Sequence, residues 1–202
     1  MEKILIPKLF PRTPSRNNIF SIEGIDGAGK TTQAHALVNA LLSKKYNAVY
    51  VTNPTETIVG RFLRQNLSIL PARQRIFLFL LDMIDILNSH EDPSQILIWD
   101  RYIHSTLISN KDIPPSQVAP LLQGLPKPKI AFLLTINPET VLNNRIDSLH
   151  NHSTDIEWQK LKQSRYDDIL RTTPSEFCVI DGNLPPEKIT EIMLDKIISE
   201  LS

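Results

Sequence analysis

Ile22-Glu23-Gly24-Ile25-Asp26-Gly27-Ala28-Gly29-Lys30-Thr31-Thr32-Gln33 contains three of the six glycines in the chain. Its core, Gly24 to Thr31, satisfies the spacing G-x-x-x-x-G-K-[ST]. The β-favouring run Ile19–Glu23 precedes it and a helix-patterned segment near Thr31–Lys44 follows, and that flanking context gives the motif its meaning. Glycines let the backbone curl so that successive N–H groups point at phosphate oxygens, and the next helix adds the positive end of its dipole. Gly24, Ile25, Asp26, Gly27, Ala28, Gly29, Lys30, Thr31 and Thr32 are therefore the expected cradle for nucleotide phosphates. Within it Lys30 is expected to reach the β and γ phosphates, and Thr31 to ligate Mg²⁺.

Outward from this loop, short β-favouring runs alternate with longer helical patterns. The expected strands are Ile19–Glu23, Ala48–Thr52, Gln95–Asp100, Lys129–Ile136 and Phe177–Ile180. Helices are expected near Thr31–Lys44, Ile58–Gln65, Ala72–Asn88, Pro115–Leu122, Pro138–Asp147, Ile156–Arg171 and Pro186–Ser199. Asn137 before Pro138 illustrates a start signal, an N-cap followed by proline in the first turn. Such alternation predicts an α/β chain of three layers, a parallel sheet with helices on both faces. The polar, aperiodic stretch Leu149–Asp155 reads as an exposed loop. Residues 1–17, interrupted by Pro7, Pro11 and Pro14, read as an irregular extension, and 18–202 as a single domain.

Composition narrows the class. Charges balance at 22 basic against 22 acidic groups, which argues against a nucleic-acid-coating surface while leaving room for a local basic pocket. Cys178 is the only cysteine, so no intramolecular disulfide forms, in keeping with a reducing cytosol. Within FCVID it reads as a packed thiol. Asp82 and Asp85 interrupt the longest apolar stretch, so no membrane span is expected. His150 and His152 lack a third ligand and read as part of a solvated loop.

A second charged pair ends the run Gln95-Ile96-Leu97-Ile98-Trp99-Asp100. It places Asp100 at the carboxyl end of a buried strand, where it is expected to hold a water of the Mg²⁺ shell. Arg101 follows with a planar fork suited to a phosphoryl group. Phosphoryl transfer asks a protein mainly to align donor and acceptor and to neutralise charge. Lys30, Asp100 and Arg101 are the expected catalytic residues, and a phosphate monoester is the natural acceptor.

These residues resemble the thymidylate kinase family of P-loop nucleoside monophosphate kinases. The resemblance rests on EGIDGAGKTTQ, on Asp100-Arg101-Tyr102 with Ser105 three residues on, and on LLTINPETVLNNRI from Leu133 to Ile146, and it runs from Asn18 to about Ser199. It implies the P-loop NTPase fold with a five-stranded parallel sheet, ATP and Mg²⁺ as cosubstrates, dTMP as acceptor, and commonly a cytoplasmic homodimer. On the acceptor side it implies roles for Asp26 at the sugar 3′-hydroxyl, Phe79 stacking on the base, Tyr102 as a pocket wall, and Pro54 and Arg64 near the acceptor phosphate. Arg101 belongs to the same set, and Asp181-Gly182-Asn183 resembles the loop beneath adenine.

The departures fall where acceptor and transition state are held. Thr52-Asn53-Pro54 replaces an Arg-Glu-Pro triplet, and Met83 stands where an arginine meets the thymine carbonyl. The lid, about 149–157, contains no arginine, and the phosphate loop has Gly27 at its own arginine position. Arg145 and Arg165 are the expected substitutes, and His104 is a further candidate to approach the acceptor. The sequence is compatible with a thymidylate kinase, with a kinase for another monophosphate such as dUMP or a modified pyrimidine nucleotide, and with a nucleotide-binding regulatory protein of weakened turnover.

Overall fold

Each of the five β-favouring runs forms a strand in the computed structural model, which describes residues 18–145 and 155–201. The strands are β1 (Ile19–Glu23), β2 (Ala48–Thr52), β3 (Ile96–Asp100), β4 (Ile130–Thr135) and β5 (Phe177–Asp181). They form one parallel sheet in the order β2-β3-β1-β4-β5. The helices are α1 (Lys30–Ser43), α2 (Ile58–Asn66), α3 (Ala72–Ser89), α4 (Ile103–Ile108), α5 (Pro115–Leu122), α6 (Pro138–Arg145), α7 (Ile156–Thr172) and α8 (Pro186–Leu201). All but α4 match an expected segment closely. Six residues give α4 fewer than two turns, too short a run to reveal a helical period.

The two-residue period of the strands sorts their side chains between two layers. Phe20, Ile22 and Ile98 pack with Leu37 and Leu41 of α1 and with Met193 and Ile197 of α8. Their neighbours Ile19, Leu97 and Trp99 pack with Leu80, Met83 and Leu87 of α3 and with Val118 and Leu122 of α5. Central β1 and β3 are buried along their whole length, as strands covered on both faces must be, whereas edge β2 and β5 are partly exposed. Tyr166 of α7 closes a third, smaller cluster with Ile108 and Leu133.

Parallel pairing collects the strand ends at one edge. Asp100 stands level with Ile22 and Thr52, and Thr135 with Asp181. Ligands of open α/β sheets bind in the crevice beyond this edge, and here the glycine loop leaves β1. Gly24 starts it at φ +142°, where a Cβ would lie 2.6 Å from the Leu134 carbonyl oxygen, so no larger residue fits. The expected extension 1–17 and residues 149–154 of the expected lid lie outside the described residues. Among the described residues no helix is long and apolar enough to cross a membrane.

Candidate active site

The glycine loop folds around Lys30, whose ammonium donates to the Ile25 carbonyl from a buried position. Burial, then the neighbouring Arg101 charge, pushes the Lys30 pKa well below its usual range, with Asp26 and Asp100 opposing. Thr31 donates its hydroxyl to Asp100 Oδ2 at 2.5 Å, so the two expected metal-side residues meet. Tyr50 donates to the same oxygen at 3.4 Å. Asp100 Oδ1 is buried and has no hydrogen-bond partner among the described residues.

Asp26 is the hub of the loop. Arg101 Nη2 lies 2.7 Å from Oδ1, while Lys162 Nζ at 2.6 Å and Gln159 Nε2 at 2.9 Å donate to Oδ2. Gln159 Oε1 also accepts the Asp26 N–H at 3.1 Å. Burial raises the Asp26 pKa, but the charges of Arg101 and then Lys162 outweigh it and hold the carboxyl far below the usual carboxylate range. Arg101 reaches Asp26 from a left-handed backbone, φ +70°, a conformation that costs a non-glycine residue about 1–2 kcal/mol. Strain of this kind clusters at sites of function.

Behind the loop lies a buried polar network that sequence reasoning did not anticipate. Glu23, the last residue of β1, accepts from the Tyr102 N–H at 3.2 Å, Ser105 Oγ at 2.5 Å and Tyr166 Oη at 3.2 Å. Tyr166 Oη in turn accepts the Gly24 N–H at 3.2 Å, tying α7 to the first residue of the loop. His104 sits between two acids, Nδ1 3.7 Å from Glu23 and Nε2 3.5 Å from Glu176. Burial disfavours the charged imidazole, but Glu176 and Glu23 together raise its pKa. His104 thus belongs to the support of β1 and does not approach the acceptor side.

A cavity of about 230 Å³ opens beside Arg101, lined by Asn53, Arg75, Phe79, Ser105, Thr106 and Asn110 among others. A larger one, about 350 Å³, lies behind His104 and Leu125 and does not include Arg101, so the smaller cavity is the one beside the Arg101–Asp26 pair. Phe79 lines the smaller cavity. Tyr102 does not: it is fully buried against Trp99, ring centroids 4.4 Å apart, and donates to the Pro126 carbonyl at 2.9 Å. Its ring fills the space between β3 and α5 and walls the core, correcting the expected pocket position.

The segment after β2 supplies the cavity rim. The Asn53–Pro54 peptide is cis. Buried Asp82 accepts from the Thr55 N–H at 2.8 Å and from Thr57 Oγ1 at 2.6 Å. Arg64, expected at the acceptor phosphate, instead clasps this segment, donating to Glu56 at 2.5 Å and to the Pro54 carbonyl at 2.8 Å. Met83 is sealed in the core, while Arg75, two turns earlier on α3, lines the cavity. Arg165 donates to the carbonyls of Ile108 and Asn110, each at 2.7 Å, and so is committed away from the phosphate loop. The side chain of Arg145 lies outside what the structure describes.

Lys162 and Gln159 are the site residues that the sequence hid best. One signal existed: continuing the inward stripe of α7 backward from Ile169 and Tyr166 lands on them.

Comparison with known proteins bears on the family. The sequence pattern of the family described as "Thymidylate kinase" matches residues 22–192. A thymidylate kinase of Leptospira borgpetersenii serovar Hardjo-bovis is 31% identical over 188 residues, covering 86% of this chain and 89% of its own. A probable thymidylate kinase of Sulfurisphaera tokodaii is 29% identical over 189 residues, 89% of this chain and 95% of its own. One from Fervidobacterium nodosum is 29% identical over 183 residues, 84% and 92% respectively. With its phosphate loop, Asp-Arg pair and sheet order in place, the chain belongs to the thymidylate kinase family.

Proposed function

We propose that the protein transfers the γ-phosphoryl group of ATP to dTMP, giving dTDP and ADP. The observation that carries this reading is the 2.7 Å bridge between Arg101 and Asp26. It joins the phosphate loop to the cavity that Phe79 lines, so donor and acceptor sites share one guanidinium. The loop N–H groups and Lys30 hold the donor phosphates, and Phe79 stacks on the acceptor base. Asp26, kept ionised by its partners, accepts a hydrogen bond from the sugar hydroxyl. Arg101 then draws an acceptor phosphate oxygen in line with the γ-phosphorus. The new P–O bond forms as the bond to the β–γ bridging oxygen breaks, with no covalent protein intermediate.

Thr31 and Asp100, the latter through a water, are the residues suited to Mg²⁺. Asp100 Oδ1, without a hydrogen-bond partner among the described residues, and an all-oxygen donor set fit that ion, which would neutralise charge on the phosphate oxygens. The cytosol, where ATP and deoxynucleotides meet, is the expected compartment. Met83, sealed in the core where an arginine is expected to meet the thymine carbonyl, favours, as a second reading, an acceptor whose base differs from thymine. Release of ADP from Mg-ATP should therefore be measured with dTMP, dUMP, dCMP, dGMP and AMP in turn, with Lys30→Ala as the blank. Turnover is expected with dTMP and not in the blank. Preference for another monophosphate would change the acceptor, and no turnover with any would overturn the kinase reading.

A homodimer accompanies this reading. Phe77 and Leu81 stand one turn apart on α3, 56% and 45% exposed, an apolar face of the kind that marks protein contacts. The F77E/L81E variant is expected to sediment as a monomer where the wild type sediments as a dimer. Identical sedimentation of the two would remove this surface from the proposal.

A further inference from the structure

Helix α7 turns Gln159, Lys162 and Tyr166 inward at spacings of three and four residues. Such a stripe ordinarily carries apolar side chains. A buried ammonium is costly to desolvate, and a hydrophobic residue of similar volume would cover the loop at least as well. Lys162 is nevertheless only 6% exposed, with Nζ 2.6 Å from Asp26 Oδ2. We propose that Lys162 is the cation that α7 supplies to the transferring phosphoryl group. The proposal rests on the phosphotransferase reading above and names a catalytic residue for it.

Three observations carry it. First, Arg101 and Lys162 both pair directly with the single carboxylate of Asp26, and Lys30 acts on it as well, so more fixed cations converge there than one carboxylate neutralises. An excess of fixed positive charge suits a ligand as anionic as a nucleoside triphosphate. Second, among the described residues, the other cations near the site are committed or missing. Gly27 carries none, residues 149–157 include neither lysine nor arginine, and Arg165 is spent on the carbonyls of Ile108 and Asn110. Third, Lys162 has a flexible four-carbon stem, and its Nζ stands over the Trp158 ring, 5.2 Å from the centroid. A short swing carries it from Asp26 to a γ-phosphoryl oxygen, while Arg101 and Gln159 keep Asp26 paired. Its charge meets the developing negative charge as one P–O bond forms and the other breaks, and no proton is transferred.

The test compares the wild type with Lys162→Gln, Lys162→Met and Lys162→Arg. Glutamine keeps a donor to Asp26 without the charge, so it remains informative should methionine impair folding. Loss of one preorganised charge-stabilising donor lowers kcat by about 10²–10³-fold, and that is expected of both neutral variants. KM for ATP and dTMP, and calorimetric affinity for a non-hydrolysable ATP analogue, should stay within about threefold, since the interaction is made in the transition state. Lys162→Arg should retain activity within about tenfold. The complex of ADP, aluminium fluoride and dTMP should form in the wild type and fail in the neutral variants. Neutral variants that turn over like the wild type, or that lose analogue affinity by the same factor as kcat, would overturn the proposal alone. A wild type inactive toward every monophosphate would overturn the kinase reading and this proposal with it.

Discussion

Replacing Arg101 by alanine is expected to lower kcat by about 10³-fold or more, a loss near 4 kcal/mol of transition-state stabilisation. The size follows from the double duty of this side chain. It bridges to Asp26 in the phosphate loop and forms part of the cavity wall, so its removal takes charge from both reacting groups. Arg101→Lys should recover little, because a point charge cannot span two anionic groups as a planar fork does. The backbone supplies an independent check. At φ +70° alanine carries the same strain as arginine, whereas glycine carries none. Arg101→Gly should therefore unfold at a temperature no lower than Arg101→Ala while being equally inactive. An Arg101→Ala enzyme with kcat within tenfold of the wild type would remove Arg101 from the chemistry. A glycine variant clearly less stable than the alanine variant would mean that the positive φ is not what sets Arg101 toward Asp26.

How much of this was written in the sequence differs from residue to residue. The phosphate loop is local: twelve consecutive residues carry the glycines, the lysine and the threonine, and a strand and a helix must flank them. The strand ending at Asp100 was equally plain, because an apolar run closing on a charge has one sensible placement in a covered sheet. The direction taken by the next two residues was not. Arg101 turns toward Asp26 through a left-handed φ, and that sends Tyr102 inward onto Trp99. No propensity predicts a positive φ at arginine. Lys162 meets Asp26 across 136 positions of chain, a contact set by how α7 packs against the phosphate loop. Arg64 misled because its charge suited an anion, while the carbonyls of Pro54 and Thr55 turned toward it offered nearer partners. Pairwise chemistry can be guessed from residue types, whereas the choice among partners is made by packing.

Gly60→Ala carries the second large effect, and its sign separates packing from propensity. Gly60 is the third residue of α2, and alanine there should favour the helix by about 1 kcal/mol on intrinsic grounds. The surroundings reverse this. A Cβ would stand 2.3 Å from the Thr55 carbonyl oxygen and 2.6 Å from its nitrogen, both backbone atoms. Thr55 cannot retreat cheaply, because its N–H donates at 2.8 Å to Asp82, which is fully buried and also holds Thr57. Thr57 caps α2 by accepting the Gly60 N–H at 3.0 Å, so helix and rim segment are locked together. Overpacking here should cost about 3 kcal/mol, lowering Tm by roughly 6–12 °C in a chain of this size. Since the rim segment includes Asn53 beside the cavity, KM for the acceptor should rise by about tenfold or more while KM for ATP changes little. Thermal unfolding and steady-state kinetics on the same preparation decide it. A variant as stable as the wild type would show that Thr55 yields, and unchanged acceptor KM despite lost stability would detach the rim from acceptor binding.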